Sequence, residues 1–591
     1  MAVLNESTRP KNIVLCSDGT GNRGGIRPTN VWRTYLAVDT KSDSPQQVRI
    51  HDDGVGTDDF LLLKIAGGAF GVGIGKNIRQ LYAALIQAYA PGDRIYLFGF
   101  SRGAYTVRIL AQLVCLFGVP DGRNKTPSEI DLVAREILSK YKRANVEASS
   151  NSTQPAPDPT RGKYRTSGWK SKTARAMQTK HGNLQLDKEV AGQADSEYPI
   201  HFLGVWDTVS AIGLPFDELT RAASHFFRLR FRSNDLNHGV HHAYQALSID
   251  DERRSFHPEL WNESAKSSSQ TIEQVWFPGV HSNVGGGYPK DEVALVALNW
   301  MLDIAEKHGL QFHEELRKQY RRDASEFGKM YNSRAGLKAC YRYLPRRIDR
   351  LCGIDEIARK ARNVRAKARI HVSALNRIEQ RTESYAPMAL TIDGYMRIGD
   401  GDETEQSIST KHPKYQTQIE HAHDFGFMRR SAYYGFLSTT VLFLWSALSV
   451  SSEKPPTGLL GSIVGKGVDL AGLMLPSFLK PILQGLRAKP MATLSFAGVL
   501  LSWLLLNGLL RSVCRDTMSA AWFQETESIG LFPGIRLRQK PIIWLAKVIA
   551  PFRRNKTLRK LYMTWEKYSP TIVTGLLAIL IVYWVFTRAK N

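Results

Sequence analysis

The sequence predicts an α/β fold: a mostly parallel sheet with flanking helices, followed by a helical C-terminal membrane region. Three observations predict it. Short apolar runs alternate with helical stretches through the first half of the chain, as strands joined by crossover helices do. The run Gly99-Phe100-Ser101-Arg102-Gly103 falls between one such strand and one such helix. Long uncharged stretches crowd the C-terminal part.

The elements follow in order. KNIVLC is a buried strand, and its apolar stretch Ile13–Cys16 is too short for the core of a secretory signal. DGTGN is the turn after it, and VRIHDDGVGT is a second strand running into a loop. GGAFGVGIGKN is expected as a glycine-rich loop before the helix IRQLYAALIQAYA. After the turn PGD come the strand RIYLFGF and the helix SRGAYTVRILAQLVCLFG. These make 10–141 the first part of the α/β domain. Residues 142–196 are polar, basic and rich in Ser, Thr and Pro, and are expected to be a disordered insertion. The second part, 197–293, holds the strand PIHFLGVWDTV and the strand EQVWFPGV that precedes His281. Residues 294–428 are expected to be a helical basic region. In the membrane region, 429–591, uncharged runs of a length that crosses a bilayer lie near 431–450, 491–510 and 570–587. The apolar stretch Thr457–Leu486 is interrupted by Lys466, Asp469, Pro476, Lys480 and Pro481, which fits an interfacial or re-entrant piece better than a fourth span.

The chain has 591 residues and a formal net charge of +24. Ten Lys or Arg lie between Arg342 and Arg369, and twelve between Arg511 and Lys567. Such charge favours a polyanion. The apolar runs point to anionic lipid, and no aromatic base-stacking platform is interleaved with the basic residues, so nucleic acid is not expected. The five cysteines are scattered without metal-ligand spacing, so neither a zinc site nor a disulfide framework is expected. Arg429 and Arg430, with the basic stretch 511–567, place the catalytic domain on the cytoplasmic side of a hairpin or multi-pass anchor.

The pentapeptide around Ser101 fits G-x-S-x-G in the strand–turn–helix setting where that pattern has mechanical meaning. A strand turning sharply into a helix forces the serine into a tight conformation and lifts its hydroxyl above the sheet edge. The N–H of Arg102, at the helix start, can then donate to an oxyanion. A serine hydroxyl needs a base held by a carboxylate, and in α/β-hydrolases these follow in the order Ser, acid, His. Asp207 and His281 each follow a predicted strand, so they are read as orienter and general base. Asp18, Asp52, Asp53 and Asp250 compete for the acid role. The turn Asp18-Gly19-Thr20 leaves the first strand near the same edge, and Gly19 or Thr20 is the expected second oxyanion donor. No metal and no organic cofactor is required.

Taken together, CSDGTGN, GVGT, GGAFGVGIGKNIRQLY, PGDRIYLFGFSRGAYTVR, FLGVWDTVSAIG, HHAYQALSIDDERRSFHPELW and VWFPGVHSNVGGGYP resemble the α/β-hydrolase family of type VI secretion phospholipase effectors and their bacterial and fungal relatives. The resemblance covers roughly Lys11–Gly287 without the insertion. It implies hydrolysis of phospholipid esters through Ser101, Asp207 and His281. One departure stands out: the family usually has an aspartate two residues after the histidine, and here it is Asn283. The expected partners are a phospholipid or other lipid ester as substrate, and a membrane. The rival readings are an esterase or thioesterase on soluble esters and a catalytically dead membrane scaffold.

Overall fold

The computed structural model describes residues 10–19, 27–41, 45–52, 70–150, 200–210, 234–335, 338, 341–354, 365–390, 395–399, 403–406, 413–448, 458–474, 480–523, 551, 555 and 557. Two compact units divide the chain. One comprises Met1–Gly213, Ala223–Ser333 and Pro345–Ile408, the other Leu214–Ala222, Arg334–Leu344 and Ser409–Asn591.

The first unit is built on a sheet of strands β1 (Asn12–Ser17), β2 (Gln47–Asp52), β3 (Arg94–Phe100), β4 (Ile200–Trp206), β5 (Val240–Ser248), β6 (Thr271–Phe277), β7 (Arg369–His371), β8 (Tyr395–Ile398) and β9 (Glu403–Gln406). Their order is β2-β1-β3-β4-β5-β6-β7-β8-β9, parallel throughout except for the antiparallel pair β8–β9. Parallel strands covered on both faces read as continuous apolar runs, which is why NIVLCS is buried along its whole length.

One face carries Val14, Tyr96, Phe98, Phe202, Trp206, Tyr244, Val275 and Phe277. Against it packs α6 (Glu292–Lys307), whose buried residues Leu295, Leu298, Met301, Leu302 and Ala305 recur at helical spacing. Each leucine or methionine side chain so removed from water contributes about 1.5–3 kcal/mol. Gly204 exists for this contact, since a Cβ there would stand 2.7 Å from the Met301 sulfur. On the other face lies α3 (Arg102–Phe117), where a Cβ on Gly99 would meet the Ala104 backbone at 2.6 Å. The described residues of this unit also form helices α1 (Asn30–Ala37), α2 (Phe70–Ala88), α4 (Pro127–Ser150), α5 (His281–Gly285), α7 (Glu314–Asp323) and α8 (Val372–Glu379), and a single helical turn at Ile348–Leu351.

The strand order has a consequence for function. The chain goes from β1 outward to β2, then returns past β1 to β3 and proceeds the other way. The carboxyl ends of β1 and β3 therefore flank a switch point, where open α/β sheets form their crevice. Register brings the successive exits level: Ser17 pairs with Gly99, Phe100 with Trp206, Trp206 with Ala246, and Ser248 with Phe277.

Several expectations are corrected. The glycine-rich stretch from Phe70 is the start of α2 and not a loop, because Ile74, Ile78, Leu81, Leu85 and Ile86 form one buried face that outweighs a glycine penalty of about 1 kcal/mol each. Residues 142–150, expected within the insertion, belong to α4, which runs to Ser150; 151–196 lie outside the described residues. Residues 294–428 are not simply helical, for β7, β8 and β9 extend the sheet. These strands are three or four residues long, too short to show an alternating pattern.

The second unit contains helices α9 (Pro413–Leu448), α10 (Leu459–Met474), α11 (Lys480–Ala488) and α12 (Pro490–Phe523). Helices α9 and α12 run antiparallel. Trp503 donates to Thr439 and lies where a Cβ on Gly435 would meet its ring at 2.5 Å, while Arg429 donates to Asn507. Among the described helices one segment, Pro490–Ser519, is long and apolar enough to cross a membrane, and 6% of its 18-residue apolar stretch is buried. The expected span 431–450 falls mostly in α9 but does not meet that measure, tempered by Tyr433, Tyr434, Thr439 and Thr440; the expected span 570–587 lies outside the described residues. Arg429, read from sequence as a topology-setting charge, is buried, with its guanidinium 3.8 Å from the Tyr343 ring centre.

A Cβ on Gly103 would lie 2.0 Å from the Ser17 carbonyl oxygen. Gly103→Ala therefore forces α3 away from β1, and we expect a loss of about 1–3 kcal/mol or more, read as a lowered thermal midpoint of the purified chain. An unchanged midpoint would contradict this packing.

Candidate active site

Ser101 joins β3 to α3 in a conformation that non-glycine residues rarely adopt, φ 59° and ψ −120°. Asp207, directly after β4, has φ 42°. Each such residue costs of order 1–3 kcal/mol and persists only where its surroundings fix it. The surroundings are visible. The Ser101 N–H donates to the Trp206 carbonyl at 3.0 Å, and the Asp207 N–H to the Ala246 carbonyl at 2.7 Å. The ladder thus carries on into both exits. Gly99 and Gly103 let the turn close: one approaches the α3 backbone and the other the β1 exit.

His281 opens α5 after β6 and is buried. Its Nε2 lies 2.8 Å from Ser101 Oγ, and its Nδ1 lies 2.6 Å from Asp207 Oδ2. The Phe100 and Phe256 rings stand 4.6 and 5.0 Å from the imidazole, centre to centre. Gly285 makes room for Phe100, whose ring a Cβ there would meet at 2.0 Å. The His281 N–H donates to Asp251 Oδ2 at 3.2 Å, and Asp251 is in turn gripped by Arg253.

Asp207 is wholly buried and richly bonded. Its Oδ1 accepts from the Ser248 N–H at 3.0 Å and from Arg346 at 2.7 Å; its Oδ2 accepts from Ser248 Oγ at 3.2 Å and from Arg346 at 2.8 Å. Arg346 also donates to the Ser248 and Phe256 carbonyls. Burial alone would raise the Asp207 carboxyl, but the Arg346 guanidinium and the bond to His281 override it and hold the group well below the usual carboxylate range. Burial pushes His281 the other way, below the ordinary imidazole value, against the raising influence of Asp207.

The remaining expected site residues are placed as follows. Arg102 begins α3, so its N–H sits in the first turn, where the helix dipole favours negative charge. Asp18 is buried at the β1 exit and accepts from Thr29 Oγ1 at 2.7 Å. The Gly19 N–H donates to Asp18 Oδ1 at 2.6 Å, so it is turned to its neighbour in this structure. Thr20 lies outside the described residues. Of the competing acids, Asp52 accepts from Ser17 and Asn77, Asp250 accepts from Gly279 and Tyr385, and Asp53 lies outside the described residues. Among the described residues no group of His, Cys, Asp and Glu is arranged to hold a metal ion.

Sequence reasoning missed Arg346, Ser248 and Asp251. Ser248 and Asp251 lie in the quoted segment HHAYQALSIDDERRSFHPELW, so the β5 exit was a signal that could have found them. Arg346 carried no such mark among the ten Lys or Arg from Arg342 to Arg369, of which it is one. The Asn283 departure now has a local role. Its Oδ1 accepts from the Val280 and Tyr331 N–H groups, and its Nδ2 donates to the Lys329 carbonyl at 3.2 Å. A carboxylate could accept those two bonds but not donate the third.

Two predictions follow from these buried groups. Asn283→Asp sets a carboxylate oxygen against the Lys329 carbonyl, and should destabilise by about 1–3 kcal/mol in a denaturant titration; a neutral result would contradict the assigned amide bond. Burial raises Asp250 to about 7, against the lowering bonds from Gly279 and Tyr385. The folded chain then holds this proton more tightly than the unfolded chain does. The resulting stability is complete below the unfolded value, about 3.9, and is lost as pH rises through about 7. The thermal midpoint of Asp250→Asn should therefore gain on wild type between about pH 5 and about pH 8, and a pH-independent difference would contradict it.

Comparison with known proteins adds the following. A family model described as the catalytic domain of type VI secretion, Tle1-like phospholipase effectors matches residues 11–304. The uncharacterized protein YEL023C of Saccharomyces cerevisiae is 27% identical over 264 residues, covering 42% of this chain and 32% of that protein, so the match spans about a third of the relative's length. Two solved structures are similar in part. One is a crystal structure of an uncharacterized protein from Pseudomonas aeruginosa, with 15% identity, a TM-score of 0.30, and coverage of 92% of this chain and 76% of the other. The second is the Tle1 effector bound to the VgrG spike of the type VI secretion system, with 14% identity, a TM-score of 0.30, and coverage of 66% and 86%. A TM-score of 0.30 is too low for either to carry an argument.

Proposed function

We propose, from the premise that this chain belongs through residues 11–304 to the Tle1-like phospholipase effector family, that it is a membrane-associated serine hydrolase of phospholipid or related lipid esters. The observation that carries this reading is the single imidazole of His281, within hydrogen-bond distance of both a strained serine and a buried carboxylate.

In the proposed reaction Ser101 Oγ attacks the ester carbonyl carbon while His281 Nε2 takes the hydroxyl proton. Asp207 keeps Nδ1 protonated and faces the imidazolium as it forms. The oxyanion is held by the Arg102 N–H, with a second donor from Thr20 or from a Gly19 N–H turned away from Asp18 Oδ1. The tetrahedral intermediate expels the alcohol, which takes the proton back from His281. Water, deprotonated by the same imidazole, then releases the fatty acid from Ser101. This chemistry asks for no metal and no organic cofactor.

Membrane association is supported by α12. Met491, Leu494, Val499, Leu501, Leu504, Leu505 and Leu509 are exposed along it, an apolar surface that hydrocarbon would cover and water would not favour.

Lipid product analysis on mixed phospholipid vesicles tests the reading. Wild type should release fatty acid and lysolipid, and Ser101→Ala should reduce the rate by about 10³-fold or more. Cleavage of short-chain soluble esters with intact vesicles favours the soluble-esterase reading, and no cleavage of either favours a scaffold. Because His281 is held below the ordinary imidazole value, its basic form persists into mildly acidic solution. The acid limb of kcat/KM should then lie below about pH 6.5; a limb at or above that value would contradict the depressed imidazole.

A further inference from the structure

We infer that Arg346 is a positioning residue for the proposed hydrolysis: its guanidinium fork fixes the Asp207 carboxylate and supplies the counter-charge that leaves the resting site neutral. The inference rests on the serine-hydrolase reading above.

Geometry comes first. The two terminal nitrogens of Arg346 meet the two oxygens of Asp207 at 2.7 and 2.8 Å, a planar fork against a planar carboxylate. The same nitrogens bond the Ser248 and Phe256 carbonyls, so the fork is anchored to the β5 exit and to the segment that bears the Phe256 ring. Only one carboxylate orientation satisfies this set, and in it Oδ2 faces His281 Nδ1 at 2.6 Å. Both side chains are fully buried, and Asp207 stands between Arg346 and His281, bonded to each.

The groups facing His281 are Asp207, Arg346, Asp251 and Arg253, with Tyr288 near the last two. Asp251 and Arg253 cancel each other, and so do Asp207 and Arg346. The resting site with a neutral imidazole carries no net charge, and protonating it would leave one uncompensated positive charge in a dry setting. At the transition state the imidazolium is balanced by the oxyanion, and the sum returns to zero. Without Arg346, the Asp207 charge would have no counter-charge, though Ser248 and His281 would still bond it. The Asp207–His281 pair would then take up a proton at higher pH, whichever atom carries it. The base would be lost in the range where it is needed.

The test is the pH dependence of fluorophosphonate labelling at Ser101 in the full-length chain, with kcat and KM on vesicles of mixed phospholipid. Arg346→Gln should move the acid limb up by roughly 1 pH unit, a tenfold change in proton affinity. It should also lower kcat by about 10²-fold with KM little changed. Arg346→Lys keeps the charge but not the fork. Its limb should stay near wild type while kcat falls, and it serves as the readable variant where the glutamine form does not fold. A residue that only supports folding would lower the amount of active chain and leave the limb of the remaining enzyme in place. An unmoved limb in Arg346→Gln, or a limb in Arg346→Lys that shifts as far as a neutral residue would shift it, overturns the inference. Wild type that is inert to the probe overturns the serine-hydrolase reading, and this inference falls with it; a labelled wild type with unmoved limbs overturns this inference alone.

Discussion

A carboxylate with no access to water sets the terms for the rest of this molecule. Asp207 is ionised in a buried position, where an unpaired charge would cost several kcal/mol. The cost is offset by a full complement of donors: Ser248 through backbone and hydroxyl, Arg346 through both terminal nitrogens, and His281 through Nδ1. Those donors arrive from β5, from the segment after residue 345, and from the exit of β6. Removing any one leaves the others facing a partly uncompensated charge, so the carboxylate ties distant stretches of chain to one geometry.

The sheet makes that convergence possible. With β1, β3, β4, β5 and β6 adjacent and parallel, their exits lie along one edge in register. Ser101 and Asp207 extend the ladder through N–H bonds to neighbouring strands, and in doing so take up left-handed backbone conformations. Strain at these two exits, and at few other non-glycine positions among the described residues, is what an edge arranged for chemistry and not for packing would display. The glycines at 99, 103 and 285 complete the arrangement by admitting backbone or a ring where a Cβ would collide.

Much of this was legible in the sequence, for identifiable reasons. Ser101 sat between an apolar strand and a helix. Asp207 and His281 each followed an apolar run, and a parallel sheet places such positions on one edge. The strands β7, β8 and β9 were not legible, because three or four residues such as RIH cannot display a period. The first turns of α2 were hidden by glycines whose helix penalty is overcome only by tertiary burial of Ile74 and Ile78. Arg346 was hidden because its partner lies 139 residues away, and nothing local separates it from the surrounding cations. The basic stretch around it reads as a surface for anionic lipid, yet Arg346 holds Asp207, Arg369 holds Glu263, and Arg347 pairs with Asp349. Positive charge counted along a sequence overstates what a membrane could meet.

The most direct measurement of the central claim is an experimental structure of the full-length chain after reaction with a fluorophosphonate. The account predicts phosphorus bonded to Ser101 Oγ, a phosphoryl oxygen directed at the Arg102 N–H, and His281 still bridging to an Asp207 held by Arg346. An adduct on another residue, or a Ser101 adduct with His281 turned away from Asp207, would contradict it.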